Sequence, residues 1–479
     1  MSTQVVPTSA ARPAPKEATL SSAAASIASS TEAATPHLKR TLKLHSIVLI
    51  GVAYMAPLIV LGTFGVIATA SKGATAMSYL LALVVMLFTA SSYGRMASLH
   101  PESGSAYTYV GKAISPKLGF LAGWTVLLDY IFLPMVIWLI GASYLEQEFP
   151  GVPSWAWILG FIAITTVLNI VGLQVADKVT FGLMLFQVVV LATFLYLSAR
   201  SVMNGTGAGS SLFSLTPFLG KGSSLTNIIA GSAIAAYSYL GFDAVTTMSE
   251  ETQHPRRDIP RAIMLVALIG GIVFVTAAYF VQLVHPSFVF SDESSAGFEI
   301  AMTIGGNLFT ALFIGGLCVS QFTSGIAAQA SASRLLYAMG RDGVLLRRVF
   351  GRLSRHFATP AINIVIIGII GLIALFLDVA TSTSFVNFGA FTAFTLVNLS
   401  VIASYLRMPA TERKGRMPGG ILRNIVLPLL GAASCFYLLV HLDINAIALG
   451  LSWLAIGIVI LLVLTHGLRR NPPEMSSQE

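Results

Sequence analysis

Cysteine, histidine and charge are all scarce in this sequence, and each shortage excludes a class of function. The two cysteines, Cys318 and Cys435, fall inside long apolar stretches, so neither a disulfide framework nor a thiolate metal site is indicated. Both read as small packing residues. His285, His441 and His466 stand isolated near the ends of such stretches, which supports no metal site. A membrane-embedded enzyme would need His, Cys or paired carboxylates gathered at one depth, and no such cluster occurs. A nucleotide-binding loop is missing as well. Gly220-Lys-Gly-Ser223 lacks the earlier glycine of a phosphate loop and has Gly where Ser or Thr should follow the lysine. No cofactor is implied, and ATP is excluded as a direct energy source.

Only 10% of the 479 residues are charged, against 55% hydrophobic and a mean hydropathy of +0.80. A soluble globule of this length could not bury so much apolar surface. Apolar windows long enough to cross about 30 Å of hydrocarbon recur near 44–70, 75–98, 105–145, 154–173, 179–200, 225–249, 260–284, 301–336, 360–378, 381–406, 423–441 and 445–467. Backbone groups in lipid must be satisfied within the segment, so these windows are helices. The net charge of +8 follows from topology and not from a nucleic-acid partner. With twelve spans and a cytoplasmic N-terminus, 25 of the 28 Lys and Arg fall inside, leaving Lys72, Arg200 and Lys221 outside. Both termini are therefore expected in the cytoplasm of a multi-pass inner (plasma) membrane protein. Residues 1–38, rich in Ser, Ala, Thr and Pro, have no signal-peptide core and read as a disordered cytoplasmic tail, with 471–479 as a second tail.

Two spans carry signs of interruption. The first reads Gly51-Val-Ala-Tyr-Met-Ala-Pro57 and runs on to Gly62-Thr-Phe-Gly65, and the sixth reads Ala236-Tyr-Ser-Tyr-Leu-Gly-Phe-Asp243. A lone proline or glycine is an ordinary kink in a membrane helix. Breaks in spans five apart match two inverted five-helix repeats, where unwound backbone exposes polar groups at mid-membrane depth. Asp129 in the third span and Asp243 in the sixth are the ionisable residues out of place, since a central Asp costs roughly 2.5–3.5 kcal/mol on insertion scales. Each is either hydrogen-bonded glue between helices or an anionic partner for a cation. For an ammonium ion, Trp124, Tyr130, Tyr239 and Phe242 are placed to add cation–π attraction of ~0.5–2 kcal/mol each. Glu250 and Glu251 close the sixth span ahead of Arg256, Arg257 and Arg261, and read as a solvated cap or as part of a gate.

The chain resembles the amino acid-polyamine-organocation (APC) superfamily of transporters from about residue 40 to 470. The resemblance rests on Pro101-Glu-Ser-Gly-Ser-Ala-Tyr-Thr-Tyr109, Gly241-Phe-Asp243 with Glu250-Glu251, Pro255-Arg-Arg-Asp-Ile-Pro-Arg-Ala262 and Ser333-Arg-Leu-Leu-Tyr-Ala-Met-Gly-Arg-Asp-Gly343. Within it, Leu127-Leu-Asp-Tyr-Ile-Phe-Leu-Pro134, Leu240 to Thr252 and Phe385-Val-Asn-Phe-Gly389 are similar to the bacterial putrescine importers. It implies an all-α membrane fold of about twelve helices: inverted repeats over 44–200 and 225–406 with helices one and six broken, then two further helices over 423–467. The solute is then held between the breaks, at Tyr54, Met55, Pro57, Tyr239, Gly241 and Phe242, with Trp124, Asp129 and Tyr130 on the third helix. Asp243 takes the position used near the inner gate or for proton coupling, joined by Glu250 and Glu251. The expected partners are a small cationic amine, putrescine first, and protons in symport.

Two residues qualify the substrate. Amino acid carriers of this superfamily present bare N–H groups in the first helix to a carboxylate, and Pro57 has none to give. Close putrescine importers carry an Asp where this chain has Gly62, so an amino acid or monoamine is the alternative solute. Gln187 stands where some amino acid carriers place a coupling lysine. A membrane sensor that binds without translocating is a further alternative. The major facilitator class requires a long central loop after the sixth span, and here the seventh follows at once.

Overall fold

The computed structural model describes residues 42–101, 105–171, 177–207, 211–220, 222–249, 251–341, 345–354, 357 and 359–472. The expected tail 1–38 and nearly all of 471–479 lie outside them, as do Glu250 and residues 102–104. Among the described residues eleven helices are long and apolar enough to cross a membrane: Leu44–Gly62, Thr75–Leu99, Pro116–Glu148, Ser154–Val171, Phe181–Met203, Leu225–Met248, Pro255–Val284, Glu293–Tyr337, Val379–Arg407, Leu422–Leu439 and Ile444–Leu464. A shorter apolar helix, Ala361–Leu375, lies between the eighth and ninth of these and completes twelve spans, numbered below in chain order. Its last turn, Leu372–Leu375, is a 3-10 helix, whose steeper rise brings the element to about 24 Å.

Three boundaries differ from the sequence reading. The overlong 105–145 window divides at Pro116: Ser115 is extended (φ −163°, ψ 150°), as a residue before proline favours, and its side chain accepts the Leu118 N–H to start a 33-residue helix. That helix rises about 50 Å, so it tilts within or projects beyond the hydrocarbon. The eighth span begins earlier than 301, but Gly306 (φ 65°, ψ −169°) kinks it, setting a short preceding helix apart from the long one. The seventh begins at Pro255, not 260, because proline at the first helical positions loses no hydrogen bond.

The spans sort into two packed groups. The second and seventh run along one another, the start of the first rests on the seventh, and the helix that follows the first, Phe64–Ser71, rests on the start of the sixth. The third packs with the fourth, eighth, ninth and tenth. Small residues allow the closest approaches: a Cβ on Gly51 would lie 2.6 Å from Val266, and one on Gly271 2.2 Å from Leu83. Alternation of the spans puts Leu44, Leu99, Pro255, Arg334, Arg407 and Leu422 at one end, called here the basic end.

Candidate substrate site

The first span is broken where the proline predicts. Its opening helix ends at Tyr54, Ala56 takes a left-handed φ of 47°, Pro57 follows, and helix resumes at Ile59. The N–H groups there are largely spent, since Met55 donates to Gly51 O, Ala56 to Ala53 O and Ile59 to Ala56 O. The sixth span tightens to 3-10 geometry over Ala236–Tyr239, turns at Leu240 (ψ 133°) and Gly241 (φ 115°), and resumes as a 3-10 helix over Ala244–Met248. The two breaks touch: a Cβ on Gly241 would lie 2.4 Å from the Tyr54 ring. Asn387 of the tenth span braces the sixth by donating from Nδ2 to Ala233 O at 2.7 Å, just before the tightened turn.

Around this junction lies a cluster of acidic and phenolic groups. Asp129 and Asp243 are 7% and 4% exposed, and their carboxyls lie within electrostatic range of one another and of the neutral Tyr54 and Tyr130 hydroxyls. Tyr237 lies within the same electrostatic range of Asp129 and Tyr54. Backbone N–H groups of Gly241, Asp243 and Ala244 surround the Asp243 carboxyl. Asp129 has no such support; its buried Oδ1 has no hydrogen-bond partner among the described residues. Tyr93, Tyr109, Phe242 and Phe394 form one wall, with Tyr93 ring centroids 6.0, 5.8 and 5.6 Å from the other three.

A cavity of about 800 Å³ leads from the first break toward the basic end. Its lining includes Tyr54 and Ala56, Met184 and Gln187 of the fifth span, and Ser320, Ser324, Arg334 and Tyr337 of the eighth. Gln187 accepts a 2.9 Å hydrogen bond from Ser320 in that wall. Tyr54 is shared by the cavity and the carboxylate cluster. The opposite end is closed: Tyr144 Oη donates to Leu61 O at 2.7 Å and accepts the Gly297 N–H. Thr63, Tyr79 and Ser238 link the first, second and sixth spans through hydroxyl contacts of 3.2 Å. At the basic end the chain before the first span pairs with the chain after the sixth, Leu42 N–H to Glu251 O at 3.0 Å and Gln253 N–H to Leu42 O at 3.1 Å.

The structure brings Tyr54, Asp129, Tyr130, Gly241, Phe242 and Asp243 together. It engages Trp124 and Tyr239 with other partners, while Met55 and Pro57 stay at the first break. Trp124 stacks on Trp453 of the twelfth span at 4.9 Å, and each indole N–H donates to the other residue's carbonyl at 2.9 Å. Tyr239 donates to Tyr79 O and sets its ring edge-on to Phe274. Met55 packs on Gly270, Pro57 is buried in the break, and Glu251 belongs to the Leu42 pairing. Gly62 sits among aliphatic groups, where a Cβ would meet Ile140, Ile59 and Leu317 at 3.2–3.7 Å. Sequence reasoning missed Tyr93, Tyr109 and Tyr237. A tyrosine carries no charge to betray it, and only its partners in space mark it out. Among the described residues no group of His, Cys, Asp or Glu could hold a metal.

Comparison with known proteins agrees with this architecture. The amino acid permease family matches residues 46–466. The low-affinity putrescine importer PlaP of Escherichia coli (strain K12) is 38% identical over 441 residues, covering 91% of this chain and 96% of that protein. The branched-chain amino acid permease BcaP of Bacillus subtilis (strain 168) is 25% identical, covering 88% and 92%. The methylthioribose transporter of the same organism is 24% identical, covering 90% and 94%. With a broken first and sixth helix around a buried site and a family match over nearly all its spans, the chain belongs to the amino acid permease family of the APC superfamily, as a multi-pass membrane transporter.

Proposed function

We propose that this transporter imports a small organic amine, with putrescine as the leading substrate, in symport with protons. The observation that carries the reading is the Asp129 carboxylate, buried near the two breaks with an oxygen that has no partner among the described residues. An unpaired buried charge is expensive, and an ammonium ion is the ligand that relieves it. Tyr54, Tyr130 and Tyr237 supply ring faces and hydroxyls around it. The tied N–H groups and Pro57 at the first break offer little to an α-carboxylate, which favours an amine without one. The 38% identity to a putrescine importer points the same way.

Asp243 is the group assigned to the coupling proton, because it sits beside Asp129 and at the break that must rearrange. Glu251, paired through its backbone to Leu42, and Glu250 next to it are assigned to the gate at the basic end. The Lys and Arg count makes that end cytoplasmic. An inward amine also gains ~2.3 kcal/mol per charge per 100 mV. A second reading, an amino acid or monoamine, is favoured by one observation: the Gly62 site is aliphatic, so the first helix lends no second anion to a diamine.

The decisive experiment is uptake of labelled putrescine into proteoliposomes by Asp129→Asn. Losing a charge-assisted contact of about 1.5–3 kcal/mol lowers apparent affinity about ten- to hundredfold, with the purified protein still folded. Unchanged affinity removes Asp129 from the site. Collapse of the proton gradient by an uncoupler abolishes concentrative uptake; persistence rules out proton symport. Accumulation itself separates a carrier from a sensor.

A further inference from the structure

A second cavity, of about 620 Å³, opens at the basic end between the second and seventh spans and the segment leading into the eleventh. Four arginines line it: Arg95, Arg261, Arg416 and Arg423. Arg95 is 8% exposed, and its Nε and Nη2 are buried without a hydrogen-bond partner among the described residues. Arg416 meets Glu412 at 3.6 Å in an exposed pair, while Arg261 and Arg423 are exposed at the rim. Arg423 is set by local backbone: Gly419 and Gly420 take left-handed φ of 104° and 60°, the chain then forms a π-helical turn over Leu422–Val426, and Asn424 holds it by donating to Met417 O and Gly420 O. A guanidinium held out of water with donors unmet demands an anion.

The walls say which kind. Met264 and Leu265 line the cavity, and Leu265 begins an exposed apolar strip on the seventh span that continues through Leu268, Ile269 and Ile272, 38–55% exposed. A water-soluble anion has no use for that strip, whereas an acyl chain does. Basic pockets between spans on the cytoplasmic side suit lipid phosphates. We infer that this cavity holds the phosphate of an anionic phospholipid of the adjoining leaflet, with Arg95 as the buried anchor, Arg261 and Arg423 at the rim, and an acyl chain along the seventh span. Leu44, the first residue of the opening half-helix, lies in the same wall, so the lipid abuts the element whose far end, Tyr54, faces the substrate cavity.

The test is native mass spectrometry of the intact detergent-solubilised chain, titrated with dioleoyl phosphatidylglycerol, dioleoyl phosphatidylcholine or inorganic phosphate. Phosphatidylglycerol is retained over phosphatidylcholine, and each lost arginine lowers its affinity about fivefold, so the R261Q/R423Q double variant loses about 25-fold. Arg95→Gln does the same if it folds; the rim variants stand alone if it does not. Equal retention of the two lipids overturns the proposal. So does retention unchanged in the double variant, or displacement of phosphatidylglycerol by millimolar phosphate, which would make the ligand a soluble anion. None of these readouts depends on the transported solute.

Discussion

At Gly241 two demands coincide, a φ of 115° that L side chains rarely adopt and a neighbouring Tyr54 ring that leaves no room for a Cβ. Gly241→Ala therefore strains the backbone by about 1–2 kcal/mol and pushes the breaks apart; uptake should fall severalfold or more, beyond what the drop in melting temperature explains. Trp124 makes the opposite prediction. Its stacking and reciprocal hydrogen bonds with Trp453 tie the third span to the twelfth. Trp124→Leu should thus lower the melting temperature in detergent while the KM for putrescine stays within about twofold of wild type, and a KM shift of tenfold would return Trp124 to the substrate. The two buried aspartates stand out in the sequence because a charge in an apolar run announces itself. The pairing of Trp124 with Trp453 was not legible, because the two lie 329 residues apart and no local spacing encodes it.

Both interruptions could be read from Pro57 and Gly241, yet their extent could not. The sixth span is 3-10 on either side of its turn, which follows from tertiary packing and not from any breaker residue. The bracing of that span by Asn387 was equally hidden, since an asparagine within Phe385-Val-Asn-Phe-Gly389 reads only as polar glue. Asn387→Leu leaves Ala233 O without its 2.7 Å partner, a buried vacancy worth about 1–3 kcal/mol. Thermal denaturation in detergent should register that loss, and Asn387→Asp, which keeps shape but has no N–H to give, should not rescue it. The division at Pro116 shows how hydropathy alone fails: one apolar window spanned two helices because the dividing residues Ile114, Ser115 and Pro116 hardly lower its mean.

For the whole molecule, the recurrence of about twelve apolar spans was plain from hydropathy, because bilayer thickness acts on composition alone. Which end stands open was not, because that depends on how two helix groups lean. With Cys318 and Cys435 replaced by alanine, Ser324→Cys in the cavity wall should react with a membrane-impermeant maleimide in inside-out vesicles and be protected in right-side-out ones; the reverse would invert the orientation. The pairing of Leu42 with the chain after the sixth span bears on length as well as on closure. It anchors one end of an 11-residue helix, Leu44–Tyr54, whose other end must present Tyr54 to Gly241. One residue inserted between these anchors would turn Tyr54 by about 100°, away from its glycine. The segment thus works as a measuring rod, tolerant of what it is made of on its exposed face and intolerant of any change in how many residues it counts.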